Sequence, residues 1–242
     1  MNTSPIDSHP VVPPCPQVNA RGVRTVRDGT GIGALFALVL TTCLLLGGCS
    51  LLGGKKATPT LYAPQGNVQP DPAWPRADWQ LAIDHVQVAR PYDSMRIAVR
   101  PTPQQLEVYK GAGWAQRPAE MIETSLLRVL EDSGRIRAVA RSGAGVNADY
   151  RLLLDVRRFE SDYAGSAAPN AVIEINAKLL HAQDAEVVAS RTFVQSIPAA
   201  GVGVPQVVDA FDRAISAIDR DIAGWALSMG SGHQRSPKAS KR

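Results

Sequence analysis

Two long alternating segments place the strongest limit on how this chain can fold. Within residues 149–160, four alternate apolar positions would share one face of a strand: Tyr150, Leu152, Leu154 and Val156. Residues 171–180 repeat the pattern, with polar side chains on the other face at Glu174, Asn176 and Lys178. The loop 163–170 between them contains Gly165 and Pro169, which is typical of a connection between antiparallel neighbours. We therefore expect two paired strands, each with one apolar face to bury.

Residues 204–227 have the period of an amphipathic helix. The apolar residues form one stripe: Val204, Val208, Phe211, Ile215, Ile218, Ile222 and Trp225. Most of the charged residues are predicted to lie on the opposite side of the helix: Asp209, Asp212, Arg213, Asp219, Arg220 and Asp221. Because the stripe and the strand faces both need an apolar partner, this helix is expected to pack on the sheet.

Shorter strands are predicted before and after a second helix. Residues 79–89 alternate but slip register near His85, which indicates a strand with a bulge. Residues 95–100 and 104–110 predict two short strands, and residues 135–141 predict an edge strand. Residues 186–197, which alternate less cleanly, predict a further strand beside the two long ones.

The second helix is predicted within residues 113–134, where Trp114 and later apolar residues recur at spacings of three and four. Pro118 suits the first turn, and Gly134 suits a left-handed stop. The sequence thus predicts an α/β fold over residues 79–227. It consists of a single mixed, largely antiparallel sheet covered by two amphipathic helices.

An apolar run at residues 32–46 precedes this domain and follows three arginines, at positions 21, 24 and 27. A basic start, a short apolar core and small residues at the exit are typical of a secretory signal. As a helix the run would be about 23 Å long, which is short of the ~30 Å hydrocarbon core. A signal-anchor helix is the alternative interpretation of the run.

The four residues Leu46 to Cys49 resemble the lipobox of bacterial lipoproteins. By this resemblance, Cys49 receives the lipid and residues 1–48 are a signal peptide that is cut away. The long proline-rich lead before Arg21 favours a translation start nearer Val23. Cys43 is the competing candidate, but the β-branched Thr42 stands where a small residue is expected.

Lipidation of Cys49 has consequences for location and for cysteine chemistry. Two or three acyl chains such as palmitate would hold the protein firmly to a membrane. Ser50 follows the cysteine, which by resemblance to enterobacterial sorting indicates the outer membrane. The other cysteines, Cys15 and Cys43, leave with the signal, so the exported domain has no thiol for a disulfide or a cysteine-based metal site.

Flexible segments are predicted on both sides of the domain. Residues 49–78 are rich in Pro, Gly and Ala without periodicity, which predicts a lipidated tether that could extend about 90 Å. Residues 228–242 predict a disordered basic tail, and four basic residues there account for most of the formal net charge of +4: Arg235, Lys238, Lys241 and Arg242. Because the charge belongs to a tail without aromatic residues, we expect no nucleic-acid partner.

Chemically active motifs are scarce. The exported part has three histidines, His85, His181 and His233, without metal-ligand spacing. The glycines of 143–149 and 201–205 match neither a dinucleotide fingerprint nor a P-loop, and no GxSxG elbow occurs. We predict that the protein is not an enzyme and has no catalytic residue, metal site or cofactor.

Four stretches together resemble the ABC-type transport auxiliary lipoproteins, the domain of paraquat-inducible protein C-like lipoproteins. They are residues 90–101, 114–136, 148–165 and 187–225. The resemblance implies a lipoprotein on the periplasmic side of the outer membrane. It would assist an ABC system that moves lipids between membranes, with an MCE-domain (mammalian cell entry) protein as its partner. A homo-oligomer is compatible with it. The alternative is an envelope structural lipoprotein that binds peptidoglycan or a Tol-like partner.

Overall fold

The computed structural model describes residues 58–235, which form one open mixed sheet of nine strands and two helices. The predicted α/β class is confirmed. The helices are α1, Pro118–Asp132, and α2, Val204–Gln234. The strands are β1 Thr60–Tyr62, β2 Ala77–Ile83, β3 Gln87–Val88, β4 Arg96–Arg100, β5 Glu107–Trp114, β6 Ile136–Arg141, β7 Tyr150–Asp162, β8 Asn170–His181 and β9 Val187–Pro198.

Strand β7 is the centre of the sheet. Along one edge it pairs antiparallel with β8 from end to end, and β9 pairs antiparallel with the far edge of β8. Along its other edge, β7 pairs in parallel with three short strands in succession: β2, β3 and β4. The edge strand β6 lies beyond β2, and β5 and then β1 lie beyond β4.

The alternation in β7 and β8 places the core as predicted. Tyr150, Leu152, Leu154 and Val156 are buried on the face of β7 that both helices cover. A register shift after Val156 then brings Phe159 onto the same face. Ring contacts join Phe159 to Trp114, with centroids 5.8 Å apart, and to Phe211 of α2, with centroids 5.0 Å apart. These aromatic contacts connect β5, β7 and α2 at one end of the core.

Two local predictions differ from the structure. Residues 79–89 contain two strands, β2 and β3, rather than one. The chain stays bonded to β7 as far as Asp84, whose amide donates to the Leu152 carbonyl, then leaves β7 and pairs with it again from Gln87. Trp114 is the last residue of β5 rather than part of the helix, which begins at Pro118. Gly134 follows α1 with a φ of +58°, as the sequence predicted.

The predicted tether is wrong for the described part of residues 58–78. Thr60–Tyr62 form β1, and residues 63–76, which we call the strap, contact one line of α2. Asp212 accepts hydrogen bonds from the Gln65 and Gly66 amides, at 2.9 and 3.1 Å. Further along α2, Ser216 accepts from the Asn67 amide, and Arg220 donates to the Gln69 carbonyl. Polar side chains of α2 hold the strap in place through hydrogen bonds with its backbone. Such hydrogen bonds do not require a periodic pattern of side chains in the strap itself.

The predicted disordered tail is also wrong for residues 228–234, which continue α2. Glycines that suggest flexibility are instead points of close packing. A Cβ atom on Gly230 would lie 2.5 Å from Cζ2 of Trp79, and one on Gly224 would lie 2.6 Å from Nε1 of Trp74. The two indoles can therefore lie directly against the backbone of α2. Residues 236–242 lie outside the described residues, as do residues 49–57 of the predicted tether.

Replacing Gly230 by alanine should destabilise the protein. The added methyl group would overlap the Trp79 indole, and overpacking of this kind costs about 1–3 kcal/mol. The matched control is Gly232→Ala in the same turn, where a Cβ would meet no atom within 4 Å. That change should be neutral or should stabilise by up to about 1 kcal/mol through helix propensity. Thermal unfolding of both variants measures this, and equal melting temperatures would contradict the packing at Gly230.

Candidate functional site

The face of the sheet turned away from the helices carries a groove of about 520 Å³. It lies beside the gap between β2 and β3 and extends over β7 and β8. Leu153 contributes an apolar wall, and the rim is polar or charged: Asp84, His85, Arg151, Asn176 and Lys178. Apolar interiors with polar rims are typical of surfaces that dock another protein. We therefore treat this groove as the candidate functional site.

The rim of the groove is held by an ion pair across β2 and β7. Arg151 donates to both carboxylate oxygens of Asp84, at 3.2 and 2.6 Å. The Asp84 side chain is mostly buried, whereas the Arg151 side chain is half exposed. Lys178 on β8 is exposed and adds a second cation to the rim. The groove thus presents an ion pair and an exposed amine to an incoming surface.

A second polar cluster lies on the same face, and its role is structural. Glu160 is fully buried and accepts hydrogen bonds from Arg100, Tyr92 and Arg158 at 2.8 to 3.0 Å. Burial would raise the pKa of the Glu160 carboxyl, but these donors outweigh burial and lower it. Burial and the neighbouring carboxylate raise the pKa of the Tyr92 hydroxyl. The carboxylate is saturated with donors, so it secures β4 and the preceding loop to β7 and is not free for proton transfer.

Asp219 of α2 is the buried acid that the sequence pattern missed. It is 0% exposed and next to Ser125 of α1 and Gly66 of the strap, and among residues 58–235 neither of its carboxyl oxygens has a hydrogen-bond partner. Burial raises the pKa of the Asp219 carboxyl to about 8. The Ser125 hydroxyl offsets this only in part, because it donates to the Ile122 carbonyl at 3.2 Å. Asp219 is therefore largely protonated at neutral pH.

The stability of the protein should fall as pH rises because of Asp219. The folded pKa lies above the unfolded value of about 3.9, so the folded state holds the proton more tightly. This contribution is fully present below pH ~4 and is lost as pH rises through about 8, by up to ~1.4 kcal/mol per pH unit. Asp219→Asn should remove that slope in urea unfolding measured from pH 5 to 8.

Asp209→Asn is the matched control, because Asp209 is exposed on the same helix. The control should keep the pH slope of the parent protein. Parallel stability curves for the parent protein and Asp219→Asn would contradict a buried neutral carboxyl.

The structure separates the other residues that the sequence singled out. His85 lies on the rim of the groove, whereas His181 and His233 lie together at the far end of α2. Nδ1 of His181 is 2.9 Å from Asp184, and Nδ1 of His233 is 2.9 Å from the Tyr150 hydroxyl. Residues 58–235 contain no group of three or more His, Cys, Asp or Glu side chains that could hold a metal ion. The predicted lipid site, Cys49, lies outside the described residues.

The helices of residues 58–235 include none that is long and apolar enough to cross a membrane. The longest, α2, has 31 residues, and six charged side chains lie within its residues 209–221.

Comparison with known proteins gives one family and several relatives. The model of the family described as ABC-type transport auxiliary lipoprotein component matches residues 60–223. A crystal structure of a Xanthomonas campestris protein, assigned to a domain family of unknown function, is 49% identical with a TM-score of 0.71. That alignment covers 73% of this chain and 99% of the other. A second solved structure, of an uncharacterized protein, is 17% identical with a TM-score of 0.53, and shares the fold over 69% of this chain and 97% of its own.

A curated relative from Bradyrhizobium diazoefficiens, an uncharacterized protein, is 29% identical over 114 residues. The alignment covers 47% of this chain and 30% of that protein. This chain therefore matches about a third of the length of that relative.

Proposed function

Because the chain belongs to the ABC-type transport auxiliary lipoprotein component family, we propose that it serves an ABC/MCE system that moves lipids between membranes. In this proposal Cys49 carries the lipid, and the domain lies on the periplasmic side of the outer membrane. The domain binds the periplasmic part of an MCE-domain protein. The observation that carries the proposal is the family match, which spans residues 60–223 and so covers the folded domain from β1 into α2.

The chain between Cys49 and the folded domain is shorter than the whole predicted tether. From Cys49 to Thr58, the first described residue, is nine residue steps. Fully extended, they reach about 30 Å, compared with about 90 Å for the whole predicted tether. As a coil they span about 17 Å. The domain would therefore stay close to the membrane, and its partner would have to reach it there.

The position of the groove suits such a partner. Because β1 is parallel to β5, and β5 antiparallel to β4, the chain enters the sheet near the Ser161 end of β7. The groove lies around Arg151 to Asp155. By strand register, Leu61 of β1 is level with Arg158, so about 10 to 25 Å of β7, at ~3.3 Å per residue, separates the two. A partner that extends from the inner membrane could then contact the groove without displacing the anchor.

We also propose that the domain acts by binding rather than by catalysis. Its two buried acids are unsuited to proton transfer with a substrate: Glu160 is saturated with donors, and Asp219 is enclosed between α1, α2 and the strap. Transport energy would come from the ABC ATPase, and this protein would contribute a docking surface.

Lipidation of Cys49 is tested by mass spectrometry of the protein purified from bacterial membranes. We expect an N-terminal peptide that begins at Cys49 and carries acyl chains. The Cys49→Ser variant should yield no acylated peptide, while its folded domain keeps the same melting temperature. An unprocessed chain with an unmodified Cys49 would contradict the anchor.

Partner binding is tested by a photo-crosslinking amino acid at Lys178 on the rim of the groove. The matched control position is Arg128, which is exposed on α1. In intact cells that express the MCE protein, position 178 should crosslink to it and position 128 should not. Crosslinks from 178 to peptidoglycan or a Tol-like protein, with no MCE protein, would support the structural-lipoprotein alternative. Crosslinks to a second copy of the chain would identify a homo-oligomer at the groove.

A further inference from the structure

An apolar and basic patch lies where the chain enters the domain. Leu61, Met95 and Val108 are large apolar residues with 56%, 44% and 40% of their surface exposed. Two exposed cations, Arg96 and Lys110, accompany them. We call these five residues the β1–β5 patch.

Strand register brings the patch together. Gly113 of β5 pairs with Leu61 of β1 on one side and with Arg96 of β4 on the other. The Leu61 and Arg96 side chains therefore lie on the same face of the sheet, on either side of a glycine that has no side chain. A Cβ atom on Gly113 would lie 3.5 Å from Cδ2 of Leu61 and 2.9 Å from the Met95 carbonyl oxygen. The leucine side chain therefore lies over the glycine, beside Met95. Val108 pairs with Ala98, two residues after Arg96, and so belongs to the same face.

The described chain begins beside the patch. Thr60 pairs in parallel with Ala112, so Lys110 is level with Thr58, where the described chain begins. Only nine residue steps then lead back to Cys49. Those steps include the pairs Leu51-Leu52 and Lys55-Lys56, and they contain no acidic residue. Apolar and basic residues thus continue from the anchor to the patch.

We propose that the β1–β5 patch rests on the surface of the bilayer that holds the anchor, and that it fits anionic phospholipid. The inference rests on lipidation of Cys49, as proposed above. Leucine, methionine and valine side chains can enter the interface between headgroups and acyl chains, while arginine and lysine contact lipid phosphates. Glu107 is the nearby exposed acid that opposes this, and Asp93 is neutralised in part by Arg117 at 3.3 Å. Even a weak contact would be populated, because the anchor keeps the patch near the membrane.

The contact would fix the orientation of the domain on the membrane. With the patch on the bilayer, the groove would lie further along β7, away from the lipid surface. A nine-residue anchor alone would permit rotation of the domain, whereas a second contact restricts it. The orientation would hold the groove open to a partner.

The test uses the full lipidated chain reconstituted into vesicles of phosphatidylethanolamine and phosphatidylglycerol. An environment-sensitive fluorophore is attached through Leu61→Cys, or through the control Val194→Cys on β9, which is 55% exposed. After processing and lipidation, the introduced cysteine is the free thiol. Lipids that carry a quencher should reduce the fluorescence at position 61 and leave position 194 unchanged. Both variants should keep the parent melting temperature.

The double variant Arg96→Glu/Lys110→Glu should lose the quenching at position 61 while it still floats with the vesicles. Replacing phosphatidylglycerol by phosphatidylcholine should have the same effect. Equal quenching at positions 61 and 194 would overturn the proposal of membrane contact, even if the anchor is present. Quenching at position 61 that changes neither with the lipid charge nor in the double variant would overturn it as well. Failure of the protein to float with the vesicles would instead show that the anchor itself is absent, and would overturn both proposals.

Discussion

Hydrogen bonding along both edges of β7 is the constraint on which the rest of the structure depends. One edge pairs with the whole of β8, and the other holds three short parallel strands that could not form a sheet by themselves. The break between two of those strands leaves room for the groove, and the last of them carries β5 and β1. The position of the groove and the point where β1 enters the sheet are both set by their distance along β7.

Helix α2 joins the core to the strap. Its apolar stripe covers the sheet, and Asp212, Ser216 and Arg220, one turn apart, hold the strap by its backbone. Trp74 then packs where Gly224 leaves α2 without a side chain. The strap therefore belongs to the folded unit.

The two buried acids show how similar residues can have opposite environments. Glu160 is surrounded by two guanidinium groups and a phenol, which stabilise its charge and lower its pKa. Burial raises the pKa of the Asp219 carboxyl to about 8, the Ser125 hydroxyl offsets this only in part, and the neutral form is favoured. Glu160 joins β4 and the loop before it to β7. Asp219 costs stability at neutral pH, since a polar group without a partner is unfavourable in the interior.

The sequence by itself determined the elements that carry their own periodicity. Residues 150–156 and 171–179 had to bury one face, the stripe from Val204 to Trp225 had to cover it, and Pro118 and Gly134 marked the ends of α1. The family resemblance and the lipid-site prediction at Cys49 also came from local motifs. Only the tertiary structure decided the rest. The strap, the last turns of α2 and the burial of Asp219 depend on neighbours distant in sequence, such as Trp79 against Gly230. The groove and the patch likewise arise from strand register. A local sequence pattern predicts which side chains one element must bury. It does not predict which distant backbone, indole or glycine will pack against that element, and this packing determines the environment of every residue that the sequence misplaced.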